Sequence, residues 1–486
     1  MVPIRIVPLN ESFVTLDCEE AIAKEARDYF TFQMPGYQFS PKFRAKQWDG
    51  KIRLIDRSNK VLRGLVPRIQ SWAKEQNYNI EWEDPNTDLD ADEVSSFLKN
   101  LNLPFELRDY QINTFLRAIQ KKRALFLSPT SSGKGAIIYA IFRYLHAKRY
   151  SSRTLIIVPN TSLVVQLTSD FADYGYDSDR NVHQLYDGAT KETQKPILLS
   201  TWQAIQDMPR KWFEQFDCII GDEAHGCKAK SLSYIISSCT NAKFRFGLTG
   251  TLDDTKVHQL ILEGLFGATY KATTTSELMS RGEVTKFEIK ALVLKYGASE
   301  ARLVSKLQYH EEMEWLCGHE GRNEFISNLA VSQKTNTLVL FQYIEKHGDV
   351  LYDLIKKKAG KRKVFYVHGG NDTEERDAIR AIVEKEKDAI IIASVGVFST
   401  GINIKNLHNV IFASPSKARI KTLQSIGRVL RLHKDKDIAT LYDIADDLKY
   451  KNNANYTLKH FVERLKIYAS EKFKFRVYNI EMKEPS

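Results

Sequence analysis

Ser128-Pro-Thr-Ser-Ser-Gly-Lys-Gly135 follows the apolar run Ala124-Leu-Phe-Leu127 and precedes a helical pattern from Ala136 to Ala147. A buried strand, a turn of small residues and a helix make a loop whose backbone N–H groups converge on an anion at the helix N-terminus. Lys134 adds a mobile positive charge suited to the β- and γ-phosphates of a nucleotide, and Gly133 lets the backbone come close. Pro129, Thr130, Ser131, Ser132, Gly133, Lys134 and Gly135 are therefore the candidate phosphate-binding residues. One position departs from the standard pattern. The lysine is normally followed by a Ser or Thr whose hydroxyl ligates Mg²⁺, and here it is followed by Gly135. A water can take that coordination position, since Mg²⁺ keeps several waters. Weakened metal affinity or impaired hydrolysis is the expected consequence.

Outward from this loop the texture is that of an alternating α/β protein. Thr154-Leu-Ile-Ile-Val, Ile197-Leu-Leu and Cys218-Ile-Ile are short runs without polar alternation, as strands covered on both faces of a parallel sheet should be. The pattern resumes at Thr337-Leu-Val-Leu-Phe, Lys363-Val-Phe-Tyr-Val, Ala389-Ile-Ile-Ile-Ala-Ser, Asn409-Val-Ile-Phe-Ala and Ala439-Thr-Leu-Tyr-Asp-Ile. Two α/β blocks joined near residues 280 to 285 are expected. In Cys218-Ile-Ile-Gly-Asp-Glu-Ala-His225 an apolar strand delivers two acids at its carboxyl end, where the chemistry of an open α/β sheet takes place. Asp222 is the candidate to hold Mg²⁺ through water, and Glu223 the candidate to polarise the attacking water.

The whole chain of 486 residues is long enough for roughly three domains at about 150 residues each. With 43% hydrophobic and 27% charged residues it is neither disordered nor fibrous. The longest apolar stretch, near Ala389 to Phe398, falls short of a membrane span, and MVPIRIVPLNESF lacks the pattern of a secretory signal. A soluble, cytoplasmic protein is expected. Its formal net charge of +11 permits a polyanionic partner. Cys18, Cys218, Cys227, Cys239 and Cys317 show no CxxC spacing and read as reduced thiols.

Between Tyr37 and Arg68 stand nine basic residues against two acids, and from Glu83 to Glu93 the sign reverses around Pro85 and Asn86. That places a first domain at about residues 1–95, with blocks at 96–283 and 284–486. Within it, Lys42 to Arg53 reads as a β-hairpin turning at Asp49-Gly50. Lys42, Arg44, Lys46, Lys51 and Arg53 would then offer phosphate contacts, and Trp48 or Phe43 would stack on a base or belong to the domain core. Lys356-Lys-Lys358 and Lys361-Arg-Lys363 read as a solvated helix end, with DNA contact secondary. Lys472-Phe-Lys-Phe-Arg-Val-Tyr alternates like a strand fit for a sheet edge.

The motifs together resemble the superfamily 2 helicases over residues 105 to 431. Arg108-Asp-Tyr-Gln111 resembles their adenine-reading segment, with Gln111 the base contact. Ile157-Val-Pro159-Asn160-Thr161 with Gln166, and Ser200-Thr201-Trp202-Gln203, match the DNA-backbone motifs of the first motor domain. Leu248-Thr249-Gly-Thr251 matches the motif that couples hydrolysis to movement. Ser394 to Gly401, including Thr400 and followed by Asn403, resembles the coupling motif of the second motor domain. Gln424-Ser-Ile-Gly-Arg428-Val-Leu-Arg431 matches the arginine-finger motif, in which an arginine stabilises charge developing on the γ-phosphate. His225 falls in the motor cleft on this resemblance, not in a zinc site.

A fuller resemblance runs nearly end to end, to the UvsW-type recombination helicases of tailed bacteriophages. It includes Asp28-Tyr-Phe, Gly36-Tyr-Gln-Phe, Phe43-Arg and Trp48-Asp-Gly-Lys-Ile-Arg-Leu54, then Thr274-Thr-Ser-Glu-Leu with Val284, and Tyr468-Ala-Ser-Glu-Lys-Phe473. The resemblance implies two RecA-like parallel-sheet motor domains behind a small α+β domain. It implies a DNA-dependent ATPase using ATP and Mg²⁺ on forks, Holliday junctions, displacement loops or RNA–DNA hybrids in the host cytoplasm, with recombination or replication proteins as partners. Three alternatives stay open: a duplex translocase or RNA helicase that does not remodel junctions, the motor subunit of a restriction system, although the chain shows no nuclease cluster, and an ATP-binding annealing clamp with weak hydrolysis.

Overall fold

The computed structural model of the chain describes residues 3–34, 36–83, 89–186, 188, 190–224, 229–250, 252, 256–400, 404–414, 427 and 436–482. The chain forms two compact units and passes from the first to the second at Thr273–Thr274.

The first unit opens with a small α+β layer. Strands β1 (Ile4–Pro8), β2 (Phe13–Asp17), β5 (Lys60–Leu62) and β6 (Ile80–Glu81) form a mixed sheet in the order β5-β2-β1-β6. In β1, Ile4 and Ile6 are buried while Arg5 and Val7 face water, the period of two that lets one sheet face carry a core. Helices Glu20–Tyr29 and Val66–Glu75 cover that face through Ile22, Ala26, Ile69 and Trp72. Strands β3 (Thr31–Gln33) and β4 (Lys51–Arg53) pair antiparallel as a separate ribbon.

Next come β7 (Arg123–Leu127), β8 (Thr154–Val158), β9 (Val182–Leu185), β10 (Ile197–Thr201), β11 (Cys218–Asp222), β12 (Phe244–Thr249) and β13 (Thr269–Lys271). They form a parallel sheet in the order β13-β7-β12-β11-β8-β10-β9. Every residue of β8, β10 and β11 is buried, which explains why these runs carry no polar alternation. The helix Ala91–Asn100 belongs to this layer: Val94 is buried in its core and Phe97 packs on Phe115 and Tyr144. A cut at residue 95 would run through that helix.

The small layer and the parallel sheet share packing. Leu260, from the helix Lys256–Phe266, is buried in the N-terminal core. Arg68 donates to both oxygens of Glu263, at 2.7 and 2.9 Å, and Glu263 is itself buried. Buried Arg245 donates to Ser12 Oγ at 2.8 Å, and Glu11 pairs with Arg123. At Gly64 a Cβ would stand 2.2 Å from the carbonyl oxygen of Glu263, so only glycine permits this approach.

In the second unit β14 (Lys286–Lys295), β15 (Thr337–Phe341), β16 (Val364–Val367), β17 (Ile390–Ser394), β18 (Asn409–Phe412), β19 (Ile438–Asp447) and β20 (Lys474–Glu481) form another parallel sheet. Its order is β16-β17-β15-β18-β19-β14-β20. The C-terminal run forms the edge strand β20, in register with β14 from Glu288↔Lys474 to Lys295↔Glu481. Lys356, Lys357 and Lys358 form the last turn of the helix Asp349–Lys358, where cations meet the negative end of the helix dipole.

The expected hairpin over Lys42 to Arg53 does not form. Ser40-Pro41 starts a helical turn over Pro41–Arg44, because proline is pre-set for the first helical position. Lys46 adopts φ +54°, and only Lys51–Arg53 is a strand, paired instead with Thr31–Gln33. Lys42, Arg44, Lys46 and Lys51 nevertheless all face solvent. Arg53 is paired with Asp49. Phe43 packs edge-to-face on Tyr37 at 4.6 Å, and half-buried Trp48 donates from Nε1 to the Lys51 carbonyl at 2.9 Å. Neither belongs to the buried core of the domain.

Candidate nucleotide and DNA sites

The carboxyl ends of β7, β12 and β11 lie side by side, so three stretches far apart in sequence meet. The loop after β7 runs into the helix Lys134–Ala147 through Ser131 and Gly133, both left-handed at φ +70° and +76°. Ser128 N donates to the Thr249 carbonyl at 2.9 Å, and the Ser128 and Ser132 hydroxyls lie 2.6 Å apart. Lys134, nearly buried, places its ammonium 2.8 Å from Glu223 Oε1 and 3.4 Å from the Ser128 carbonyl. Glu223 Oε2 also accepts from Gly250 N at 3.4 Å. The carboxylate thus stands between the phosphate loop and the Leu248-Thr-Gly250 turn.

Glu223 holds φ +48°, a left-handed conformation that costs an L-residue roughly 1–2 kcal/mol. Asp222 is buried, and its Oδ1 has no hydrogen-bond partner. Burial, with the Glu223 charge adding to it, pushes the Asp222 carboxyl up to about 7, while Lys134 acts in the opposite direction. An orphaned, buried carboxylate oxygen beside a phosphate loop is a fit donor for a hard cation such as Mg²⁺. At Gly135 a Cβ would meet Asp170 Oδ2 at 3.4 Å, Leu167 Cδ2 at 3.5 Å and the Tyr174 hydroxyl at 3.6 Å. These are ordinary contacts, so a small side chain fits.

Gln111 is buried and braces the loop: its Nε2 donates to the Ser132 and Gly133 carbonyls at 3.1 and 3.3 Å. Its Oε1 accepts from Arg108 N at 2.9 Å. Both amide donors are therefore spent, and one acceptor lone pair remains for an adenine amino group. Tyr110, which the motif contained but the site assignment passed over, donates to the Ser132 carbonyl at 2.7 Å and accepts from Arg108 at 3.0 Å. Ser128 and Asp170 were missed as well. Ser128 ends the strand in sequence, and Asp170 is one acid in a helix; neither shows its position until β7 and the helix Thr161–Asp173 are placed.

A second cluster lies at the carboxyl ends of the neighbouring strands β8 and β10. Asn160 caps the helix Thr161–Asp173 by accepting from Leu163 N at 3.0 Å. Gln203 Nε2 donates to the Pro159 carbonyl at 3.3 Å, which ties the two expected DNA-backbone segments together. Thr201 is buried, Trp202 packs on the sheet core, and Gln166 is half-exposed on its helix. In the second unit Ser394 ends β17 with its hydroxyl toward Val397 N at 3.5 Å. His225, Thr251, Gly401, Asn403, Gln424, Arg428, Arg431 and the side chain of Thr400 lie outside the described residues.

Two RecA-like parallel sheets in one chain, the first with a phosphate loop beside an acidic strand end, are the framework of a superfamily 2 helicase. The chain is 37% identical to the ATP-dependent DNA helicase uvsW of Enterobacteria phage T4, an alignment that covers 97% of this chain and 98% of the relative. It belongs to the UvsW family of ATP-dependent DNA helicases. Residues 4–83 match the family model "DNA helicase UvsW, N-terminal", residues 104–254 "Type III restriction enzyme, res subunit" and residues 321–433 "Helicase conserved C-terminal domain". The crystal structure of T4 UvsW superposes with a TM-score of 0.53 at 34% identity, covering 99% of this chain and all of that one. S. cerevisiae Dbp5, at 15% identity and a TM-score of 0.51, covers 79% of this chain and 95% of its own and shares the fold. Among the described residues no helix is long and apolar enough to cross a membrane.

Proposed function

We propose that this helicase acts on branched DNA, reversing forks, migrating Holliday junctions and unwinding displacement loops or RNA–DNA hybrids. The observation that carries the enzymology is the cluster of Lys134, after β7, with Asp222 and Glu223 at the end of β11, the two strands that flank β12, in a chain related over 97% of its length to a DNA helicase. In this proposal Lys134 and the loop residues Pro129 to Gly135 bind the phosphates, and Gln111 with Arg108 reads the base. Asp222 would hold Mg²⁺ through water, and Gly135 would contribute no side-chain ligand. When bound, the metal neutralises charge on the β- and γ-phosphate oxygens. Glu223 orients the attacking water, and Gln424, Arg428 and Arg431 stabilise charge on the transferred group. Thr249 and Thr251 transmit the change.

The single strand is proposed to run over Pro159, Asn160, Thr161, Gln166, Thr201, Trp202 and Gln203 in the first motor and over Ser394 and Thr400 in the second. The link from Gln203 to the Pro159 carbonyl supports treating the first group as one surface. Lys42, Arg44, Lys46 and Lys51 are proposed to hold phosphates near the branch; among the cations expected there, Arg53 already has a carboxylate partner in Asp49.

The test is steady-state ATPase across Mg²⁺ concentration, with a DNA fork, an RNA fork, linear duplex or no nucleic acid, alongside strand displacement on each. Strong stimulation and displacement on the DNA fork above the others supports the proposal. Equal activity on linear duplex replaces it by a duplex translocase, and preference for the RNA fork by an RNA helicase. Absence of hydrolysis at every Mg²⁺ level replaces it by an ATP-binding clamp.

A further inference from the structure

Among the described residues the most exposed large hydrophobic side chain is Phe39, at 70% of its full surface. Burying a phenylalanine is worth about 1.5–3 kcal/mol, so a chain that leaves one in water forgoes a substantial stabilisation. Its neighbours do not: Tyr37 and Phe43 pack edge-to-face on each other, 4.6 Å between centroids.

The segment that holds Phe39 outward is built tightly. Met34 N donates to the Gly50 carbonyl at 2.9 Å, Tyr37 N to the Met34 carbonyl at 3.1 Å, and Phe39 N to the Gly36 carbonyl at 3.0 Å. Gly50, at φ +77°, has no room for a Cβ, which would stand 2.5 Å from Gln33 Nε2 and 2.6 Å from the Tyr37 ring. The backbone on either side of the ring is thus tied by hydrogen bonds at Met34, Tyr37 and Phe39. The cations near it in sequence precede Asp49, whose carboxylate is paired with Arg53. From Thr31 to Trp48 the sequence holds Lys42, Arg44 and Lys46 and no acid. Arg44 Nε donates to the Gln38 carbonyl at 3.3 Å, which brings its guanidinium against the residue preceding Phe39. Lys42 is exposed in the same turn.

An uncovered aromatic face flanked by exposed cations matches an unpaired nucleobase with its phosphates, because stacking needs a π-face and the backbone needs positive charge. We propose that Phe39 is a base-stacking platform that takes an unpaired base at a DNA branch, while Lys42 and Arg44 hold the flanking phosphates. This rests on the branched-DNA reading above and locates branch recognition on the Gly36–Arg44 turn of the N-terminal layer. Trp48, by contrast, has its indole N–H spent on the Lys51 carbonyl and its ring half-buried.

The experiment uses the full chain without ATP, a fork with 2-aminopurine at the first unpaired position, and a linear duplex of the same sequence. Wild type should bind the fork more tightly than the duplex and quench the 2-aminopurine. Phe39→Ala should bind the fork about tenfold more weakly, lose the quench, and leave duplex affinity and the melting temperature near wild type. Phe39→Tyr should restore both signals. Lys42→Ala/Arg44→Ala should weaken fork and duplex alike and flatten the salt dependence. Unchanged quench and fork affinity in Phe39→Ala, with wild type still preferring the fork, overturns this proposal alone. No fork preference in wild type overturns the branched-DNA reading and this proposal with it.

Discussion

The ammonium of Lys134 and the carboxylate of Glu223 form an ion pair at 2.8 Å, both side chains largely shielded from water. The cation proposed to grip phosphate and the carboxylate proposed to orient water neutralise each other. On that proposal, nucleotide phosphates would draw Lys134 away and free Glu223 for the water it would orient. Glu223→Gln is therefore expected to keep or tighten ATP binding while cutting hydrolysis by at least about a hundredfold. Lys134→Ala is expected to lose both. A fluorescent ATP analogue reads binding and phosphate release reads turnover; substantial DNA-stimulated turnover in either variant would remove these residues from the site.

Gly135 gives a second prediction. A Cβ there meets nothing closer than 3.4 Å, so Gly135→Ser should fold without strain and place a hydroxyl beside Asp170. Its Mg²⁺ requirement for ATPase should fall relative to wild type, with maximal turnover similar or higher. An unchanged Mg²⁺ midpoint would show that position 135 does not face the metal.

The junction between Arg68 and Glu263 should behave as a structural anchor. Glu263 is buried and also accepts from Gln259 and Thr269 at 2.9 and 2.7 Å. Arg68→Met would leave its negative charge with neutral donors only, at a cost of roughly 2–3 kcal/mol after allowing for the half-exposed arginine. Chemical denaturation should show the loss, and Arg68→Met/Glu263→Gln should recover part of it. Deleting residues 1–95 is a poorer probe of the N-terminal layer. It would uncover Leu260, take Ser12 from Arg245 and Glu11 from Arg123, and cut the helix Ala91–Asn100.

His347 sets a pH dependence in the second unit. It is buried, its Nδ1 lies 3.0 Å from Ser414 Oγ, and its Nε2 has no partner. Burial, reinforced by the Arg322 charge, pushes its pKa down to about 3, against about 6.5 in an unfolded chain. Between those values the unfolded state binds the extra proton. The contribution is thus full above about pH 6.5 and is lost as pH falls toward 3, at up to about 1.4 kcal/mol per pH unit. Melting temperatures of wild type and His347→Gln at about pH 7 and pH 5 test this: the variant should lose less on acidification, and equal slopes would refute the assignment.

The sequence by itself determined the parallel strands, because runs such as Thr154–Val158 and Ile390–Ser394 are apolar on both faces, and a strand can be so only when covered twice. It also determined the phosphate loop, the acidic strand end and the family, since these depend on residue type at fixed local spacing. Tertiary structure alone decided three things. The pairing of Lys51–Arg53 with Thr31–Gln33 overrode the Asp49-Gly50 hairpin signal and left Phe39, not Trp48, uncovered. The small layer became one unit with the first sheet through Arg68, Glu263 and Leu260, contacts that span nearly 200 residues and leave no local pattern. Asp170 came to lie beside Gly135 only because two helices cross there. Local propensity and spacing are written along the chain, whereas contacts between distant side chains depend on how each surface is covered, and that exists only once the chain has folded.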